Sequence, residues 1–84
     1  MEFKEGMVVK AKAGRDAGGC YLVLRCEGRY CWIADGRRRK ISSPKKKNLL
    51  HLTATNHSLE GKEITSDRAL RRILAQWNTT QPTE

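Results

Sequence analysis

The sequence is poor in the residue types and patterns that mark enzymes, metalloproteins and membrane proteins. No apolar run approaches the length of a membrane span, and the N-terminal stretch MEFKEGMVV lacks the basic flank and apolar core of a secretory signal. The three cysteines form no CxxC pair, and neither histidine stands in a catalytic pattern with a serine or a carboxylate. We therefore expect a cytoplasmic protein with no catalytic site, metal, cofactor, small-molecule substrate or membrane contact.

Positive charge is what the sequence has instead, and it is concentrated in one place. The formal net charge is +8 at pH 7, and residues 37–47, RRRKISSPKKK, carry seven Lys or Arg residues and no Asp or Glu. A charge this concentrated attracts a polyanion, whereas the same excess spread evenly would mainly aid solubility. The alternative for such a run is a flexible, solvated loop, so the surrounding structure decides between the two.

Apolar residues alternate along much of the first 55 residues, which predicts short β-strands. Ile41 would face inward and Lys40 outward in the fourth strand. So many short strands in so short a chain predict a mainly β fold, a small antiparallel barrel that closes its own edges. The predicted strands are 7–13, 20–26, 30–35, 39–42 and 48–55, with a glycine-rich loop at 14–19.

Near the C-terminus the spacing of the apolar residues changes from alternation to every third or fourth residue. In residues 65–77, TSDRALRRILAQW, four apolar residues lie one helical turn apart and predict a helix with a single apolar stripe. Ser66 or Thr65 can cap its N-terminus. We expect one domain, with a barrel over residues 1–57 and a loop, helix and frayed tail over 58–84 packed on it. The stripe is Leu70, Ile73, Leu74 and Trp77, with Trp77 as a core anchor.

The cysteines fit the role of small core hydrophobes. In the second predicted strand, Cys26 shares a face with Leu24, and Arg25 points to the opposite face. Cys26 and Cys31 can meet across a hairpin, although a reducing cytosol argues against a disulfide. Nearby cations would lower the pKa of a thiolate, but no partner motif supports a nucleophilic cysteine.

Both basic clusters are predicted at the ends of folded segments. The first, Arg37 to Lys40, follows a turn, and the second, Lys45 to Lys47, precedes a strand. Lys10 and Lys12 on the outer face of the first strand, and Arg15 in the loop after it, would extend the same surface. Arginine binds phosphate or guanine edges through planar, bidentate contacts, and lysine supplies point charges. This combination favours RNA as the partner.

The aromatic residues leave two interpretations open. Tyr21, Tyr30 or Trp32 would stack on an unpaired base if exposed, or pack in the barrel core if buried. Packing in the core is the favoured interpretation for Trp32, and the two interpretations are equally favoured for Tyr21 and Tyr30.

Two stretches carry a resemblance to a known family. Residues 3–24, FKEGMVVKAKAGRDAGGCYLVL, resemble the KOW motif: a strand, a loop of Gly, Arg or Lys, Asp, any residue and Gly, then a strand ending in Val-Leu. Residues 34–52, ADGRRRKISSPKKKNLLHL, are similar to bacterial KOW-domain RNA-binding proteins that resemble large-subunit ribosomal proteins of archaea and eukaryotes. The resemblance covers roughly residues 2–57. It implies an SH3-like five-stranded antiparallel barrel with a C-terminal α-helix, which binds RNA, in particular ribosomal RNA, with ribosomal proteins as further candidate partners.

Carried over by position, the resemblance assigns Arg15 to phosphate contact, and Asp16 and Gly18 to shaping the loop. The sequence departs from the motif at Gly19 and Cys20, where a cation or a further glycine is usual. Two other functions stay open, an SH3-like protein-interaction module for an acidic partner and a KOW-type transcription accessory factor. The predicted RNA-binding residues are Lys10, Lys12, Arg15, Asp16, Gly18, Arg37, Arg38, Arg39, Lys40, Lys45, Lys46 and Lys47.

Overall fold

A computed structural model describes residues 3–12 and 18–78 of the chain. The elements are β1 Met7–Ala11, β2 Cys20–Glu27, β3 Tyr30–Ala34, β4 Lys45–Asn48, a 3-10 turn Leu49–His51, β5 Leu52–Ser58 and α1 Asp67–Asn78. The strands pair antiparallel in the order β4-β3-β2-β1-β5, so β4 and β5 are the two edges of a sheet that is not closed. The predicted mainly β class, with five antiparallel strands and a C-terminal helix, is confirmed, and it is compatible with a barrel-like fold.

The sheet carries a hydrophobic core on each face. Val8 and Val9, adjacent in β1, are both fully buried and point into different cores. We call these the helix-side core and the far-side core. The far-side core is covered by partly buried Phe3, Met7 and Leu49. The helix-side core is Val8, Cys20, Leu22, Ala34, Leu59, Leu70 and Leu74, and the far-side core is Val9, Ala11, Tyr21, Val23, Cys31, Ile33 and Leu52.

The helix forms as its sequence predicts. Ser66 caps its N-terminus, because the Ser66 hydroxyl accepts a hydrogen bond from the Ala69 N–H at 3.1 Å. Leu70 and Leu74 are fully buried in the helix-side core, and Ile73 and Trp77 pack against it. The Trp77 ring also stacks on the His57 imidazole, with ring centres 4.2 Å apart. The apolar stripe thus covers one part of one sheet face.

The predicted fourth strand at 39–42 is wrong. Residues 40–43 form a turn in which the Ser43 N–H donates to the Lys40 carbonyl oxygen at 3.0 Å. The lysine run itself is the fourth strand, paired with β3 from Lys45 opposite Ile33 to Asn48 opposite Tyr30. An edge strand tolerates charged residues because one of its sides is open to solvent, and Lys45 and Lys46 are indeed exposed. Ile41 is nevertheless half-buried against the helix-side core.

The predicted fifth strand at 48–55 begins too early. Asn48 ends β4, and Leu49–His51 form the 3-10 turn, where the Asn48 side chain accepts a hydrogen bond from the Leu50 N–H at 2.9 Å. β5 therefore starts at Leu52 and ends at Ser58. Asn48 acts as an N-cap, a role that asparagine often has and that the alternating pattern concealed.

A β-bulge in β2 changes which residues share a face. Val23 pairs with Ile33, but the next paired residue is Arg25, opposite Trp32, so Leu24 is the inserted residue. After the bulge, Arg25 lies on the helix-side face of the sheet and Cys26 packs against the far-side core. The face predicted for these two residues is therefore wrong, because one extra residue inverts the alternation beyond it.

Candidate nucleic-acid interface

The loop of residues 35–44, which joins β3 to β4 and which we call the basic loop, has its backbone held from within by Asp35. One Asp35 carboxylate oxygen accepts hydrogen bonds from the Arg37 N–H at 2.8 Å and the Arg39 N–H at 3.0 Å. The Arg39 carbonyl oxygen in turn accepts from the N–H groups of Asp35 and Gly36. A short polar side chain that bonds the backbone a few residues onward is a common way to fix a turn. The first basic cluster is therefore a defined turn.

The helix holds the same loop from outside. The Asp67 carboxylate accepts a hydrogen bond from the Ile41 N–H at 2.8 Å, and the Arg71 guanidinium donates to the Gly36 carbonyl oxygen at 2.9 Å. Gly36 is buried, with φ +82, and a Cβ there would collide with the Asp67 carbonyl oxygen. A close approach of this kind, at positive φ, requires glycine. The N-terminal turn of α1 thus fixes where the basic loop lies.

Three of the four cationic side chains of the basic loop are exposed to solvent. Arg37, Arg38 and Lys40 are exposed, and Arg39 is half-buried. Within residues 3–12 and 18–78, no carboxylate forms an ion pair with Arg37, Arg38 or Lys40. The positive charge of these three residues is therefore available to an anion from solution.

The second cluster continues directly from the basic loop along the edge strand β4. Its lysines alternate in direction, since Lys45 and Lys47 lie opposite Ile33 and Cys31, whereas Lys46 lies opposite Trp32. Lys45 and Lys46 are exposed and Lys47 is half-buried. The structure therefore joins the two clusters in sequence and in space, but it divides the lysines between the two faces of the edge strand.

Arg25, Tyr30, Trp32 and Lys46, which we call the aromatic face, lie together on the helix-side face of β2, β3 and β4. The Arg25 guanidinium carbon is 4.1 Å from the centre of the Trp32 ring, and the Lys46 ammonium is 4.4 Å from the Tyr30 ring centre and 5.7 Å from that of Trp32. Tyr30 is 40% exposed and Trp32 half-buried, whereas Tyr21 is buried in the far-side core. The core position favoured for Trp32 is thus not observed. Sequence reasoning missed Arg25, because the bulge hides its register.

The remaining predicted residues lie away from this surface or outside the described residues. Lys10 and Lys12 are exposed, but β1 is separated from β4 by two strands. The Lys12 N–H donates to the His51 carbonyl oxygen at 2.8 Å, which places Lys12 beside the 3-10 turn that follows β4. Gly18 is exposed, with φ +88. Arg15 and Asp16 lie outside the described residues.

Two of the cysteine thiols, those of Cys20 and Cys31, lack the environment of reactive cysteines. None of the three cysteines forms a disulfide, and Cys26 stands directly opposite Cys31 in the β2–β3 pair. Burial and a hydrogen bond with Cys26 raise the pKa of Cys31 to about 12. Burial also raises the pKa of Cys20, and the positive charge of Lys10 offsets this in part. Nucleophilic cysteines have a lowered pKa, so neither Cys20 nor Cys31 has the properties of one.

A groove of about 460 Å³ opens on the helix-side face between residues 4–6 and 59–64. Its floor is apolar, with Leu22, Leu24 and Ile64, and no cysteine, histidine or serine lines it. Across the described parts of the chain, no group of three His, Cys, Asp or Glu residues converges on a point where a metal ion could bind. The residues that line the groove therefore do not resemble a catalytic constellation.

The comparisons with known proteins give no relative to reason from. A scan against protein-family models and a search of curated proteins each found no match for the chain. In the part of the chain that the structure describes, no helix has both the length and the apolar character needed to cross a membrane.

Proposed function

We propose that this protein is a non-catalytic RNA-binding module that grips the phosphate backbone with the basic loop and β4. The observation that carries the proposal is the fixed backbone of the basic loop. Asp35 and Asp67 both accept hydrogen bonds from its N–H groups, while Arg37, Arg38 and Lys40 remain exposed. A loop already ordered before binding loses little further conformational entropy, so more of the electrostatic attraction becomes affinity.

The chemistry of the exposed side chains supports a phosphate ligand. Arginine presents planar donors that match two phosphate oxygens, and three arginines and a lysine are consecutive in residues 37–40. The edge strand adds Lys45 and Lys46 next to them. A polyanion with regularly spaced charges can contact several of these cations at once, which a single acidic side chain cannot.

The target we propose is ribosomal RNA in the cytoplasm. The support for this narrower statement is the resemblance of residues 34–52 to KOW-domain proteins that are similar to large-subunit ribosomal proteins. Ribosomal proteins that contact the ribosomal RNA beside the module are then further candidate partners.

Salt dependence of RNA binding tests the general proposal. The double variant Arg37→Gln/Arg38→Gln should lower affinity for a single-stranded RNA roughly 20-fold at about 0.1 M salt. It should also make the plot of log affinity against log salt concentration less steep, by roughly 0.7 for each lost phosphate contact. Lys4→Gln/Lys62→Gln, which removes the same charge from the rim of the groove, is the matched control and should change neither quantity. Equal effects of the two double variants would show that net charge alone, and no particular surface, drives binding.

Sedimentation of a cell lysate tests the ribosomal target separately. The protein should travel with ribosomal fractions at low salt and return to the top of the gradient at high salt or after ribonuclease treatment. Protein found only at the top at low salt would refute the ribosomal target while leaving RNA binding in vitro intact. Association that survives ribonuclease would favour an acidic protein partner instead.

A further inference from the structure

The helix leaves one end of the sheet face uncovered, and that end carries the aromatic face. Along β3, Ala34 is fully buried beneath α1, Trp32 is half-buried, and Tyr30 is 40% exposed. Along β3, the part of the sheet face that α1 covers therefore ends between Ala34 and Trp32. The parts of the Tyr30 and Trp32 rings that remain accessible present apolar area to solvent on this end of the sheet face.

Three charged side chains lie beside the two rings. Arg25 and Lys46 are cations, whereas Glu27, which pairs with Tyr30, is an anion whose carboxylate lies 3.5 Å from the Arg25 guanidinium. Both members of this ion pair are largely exposed, so solvent weakens it. By register, Arg25 on β2 and Lys46 on β4 stand on either side of Trp32, and both extend their charged groups over a ring. Both side chains are exposed, so solvent weakens these cation–π contacts, and the flexible stems can swing aside. A nucleobase that stacks on a ring gains more than such an exposed contact supplies. The displaced cations would then lie beside the phosphates that flank the base.

The spacing of the two rings suits single-stranded RNA. Tyr30 and Trp32 are two residues apart on one strand, which sets their Cα atoms about 7 Å apart on the same face. Two rings at this spacing can each receive a base from an extended backbone. A base inside a duplex has both its faces covered by its neighbours, so only an unpaired base can use them. Lys46 lies on β4, which together with the basic loop forms the surface proposed to bind phosphates. An RNA strand bound to that surface would therefore reach the two rings.

We propose that Tyr30 and Trp32 form a stacking site for unpaired nucleobases, with Arg25 and Lys46 as its flanking cations. This inference rests on the proposed RNA-binding function and specifies its substrate as RNA that is single-stranded where it crosses β3 and β4.

Binding of two RNAs to the full chain tests the site. The probes are an unstructured oligouridine and a blunt-ended RNA duplex of the same length, each measured by fluorescence anisotropy. Trp32→Leu and Tyr30→Leu should each weaken oligouridine binding roughly 5- to 100-fold, the loss expected for one stacking aromatic residue. Duplex affinity and the salt slope should not change. Thr53→Ala, an exposed position on β5, serves as a control that should leave both affinities unchanged.

A spectroscopic experiment covers the case in which these leucine variants fail to fold. Trp77→Phe keeps an aromatic ring against His57 and leaves Trp32 as the single tryptophan of the chain. Oligouridine should quench the fluorescence of Trp32 in this variant, and the duplex should not.

Equal losses for both RNAs, no loss for oligouridine, or no quenching would each overturn the stacking site. Those outcomes would leave the proposed function standing as long as the wild-type protein binds either RNA in a salt-dependent manner. If the wild type bound neither RNA, the proposed function itself would be refuted, and the stacking site with it.

Discussion

The hydrogen bond from the Ile41 N–H to the Asp67 carboxylate, at 2.8 Å and partly buried, joins the basic loop to the helix. A hydrogen bond to a charged group contributes about 1.5–3 kcal/mol, and a carboxylate in the first turn of a helix adds about 0.3–1 kcal/mol. Asp67→Ala should therefore lower the free energy of unfolding by about 2–4 kcal/mol. For a domain of this size the melting temperature should fall by about 10–30 °C.

Urea titration followed by circular dichroism measures this change, with the slope of the transition unchanged if only stability is affected. Amide hydrogen exchange gives a local readout, because the Ile41 N–H should exchange faster once its acceptor is gone. Asp67→Asn keeps an oxygen acceptor without the charge and should lose about half as much stability. A loss below about 1 kcal/mol in Asp67→Ala, or unchanged exchange at Ile41, would refute the role given to this carboxylate.

Two further predictions concern the turn and the buried thiol. Gly36→Ala should destabilise the protein by about 2–5 kcal/mol in the same titration, because it adds left-handed strain and a collision with the Asp67 carbonyl oxygen. Gly28→Ala, also at positive φ but with open space for a Cβ, should cost only about 1–2 kcal/mol, and equal losses would contradict the packing argument. Because the folded-state pKa of Cys31 is raised from 9.0 to about 12, the folded chain keeps a proton that the unfolded chain loses, so this contribution to stability is complete below pH 9 and is lost as the pH rises towards 12. Urea midpoints measured from pH 9 upward should fall less steeply in Cys31→Ala than in the wild type, and parallel curves would show that this thiol has no such linkage.

The parts of the fold that sequence predicts are those in which apolar residues repeat with a regular period. The stripe from Leu70 to Trp77 identifies α1, and alternation identifies most of β1, β2 and β3. β4 was missed because Lys45–Asn48 has no apolar period, since an edge strand is held by backbone hydrogen bonds to one neighbour. The bulge at Leu24 was missed for a different reason, because an inserted residue leaves no compositional signal in a strand of otherwise ordinary β-formers.

The candidate site likewise has one part that the sequence predicts and one part that it does not. Its charge is visible in the sequence, because cationic residues are consecutive in 37–40 and 45–47. Its scaffold is not visible, since the contacts of Asp67 with Ile41 and of Arg71 with Gly36 join residues 26 and 35 positions apart. Contacts over such separations depend on the tertiary fold, and no local pattern predicts them.

The basic loop carries an electrostatic cost that its own scaffold offsets only in part. Like charges in consecutive positions repel one another, and the repulsion is strongest when a fixed backbone keeps them close. Asp35 and Asp67 supply two negative charges at the base of the loop, against four positive charges in residues 37–40. A bound polyanion would remove the remaining repulsion, so occupancy of the surface should stabilise the loop and, through Asp67 and Arg71, the helix packed beneath it. Asp67 and Arg71, which hold the loop against the helix, would thus transmit the stabilisation by a ligand to the helix-side core.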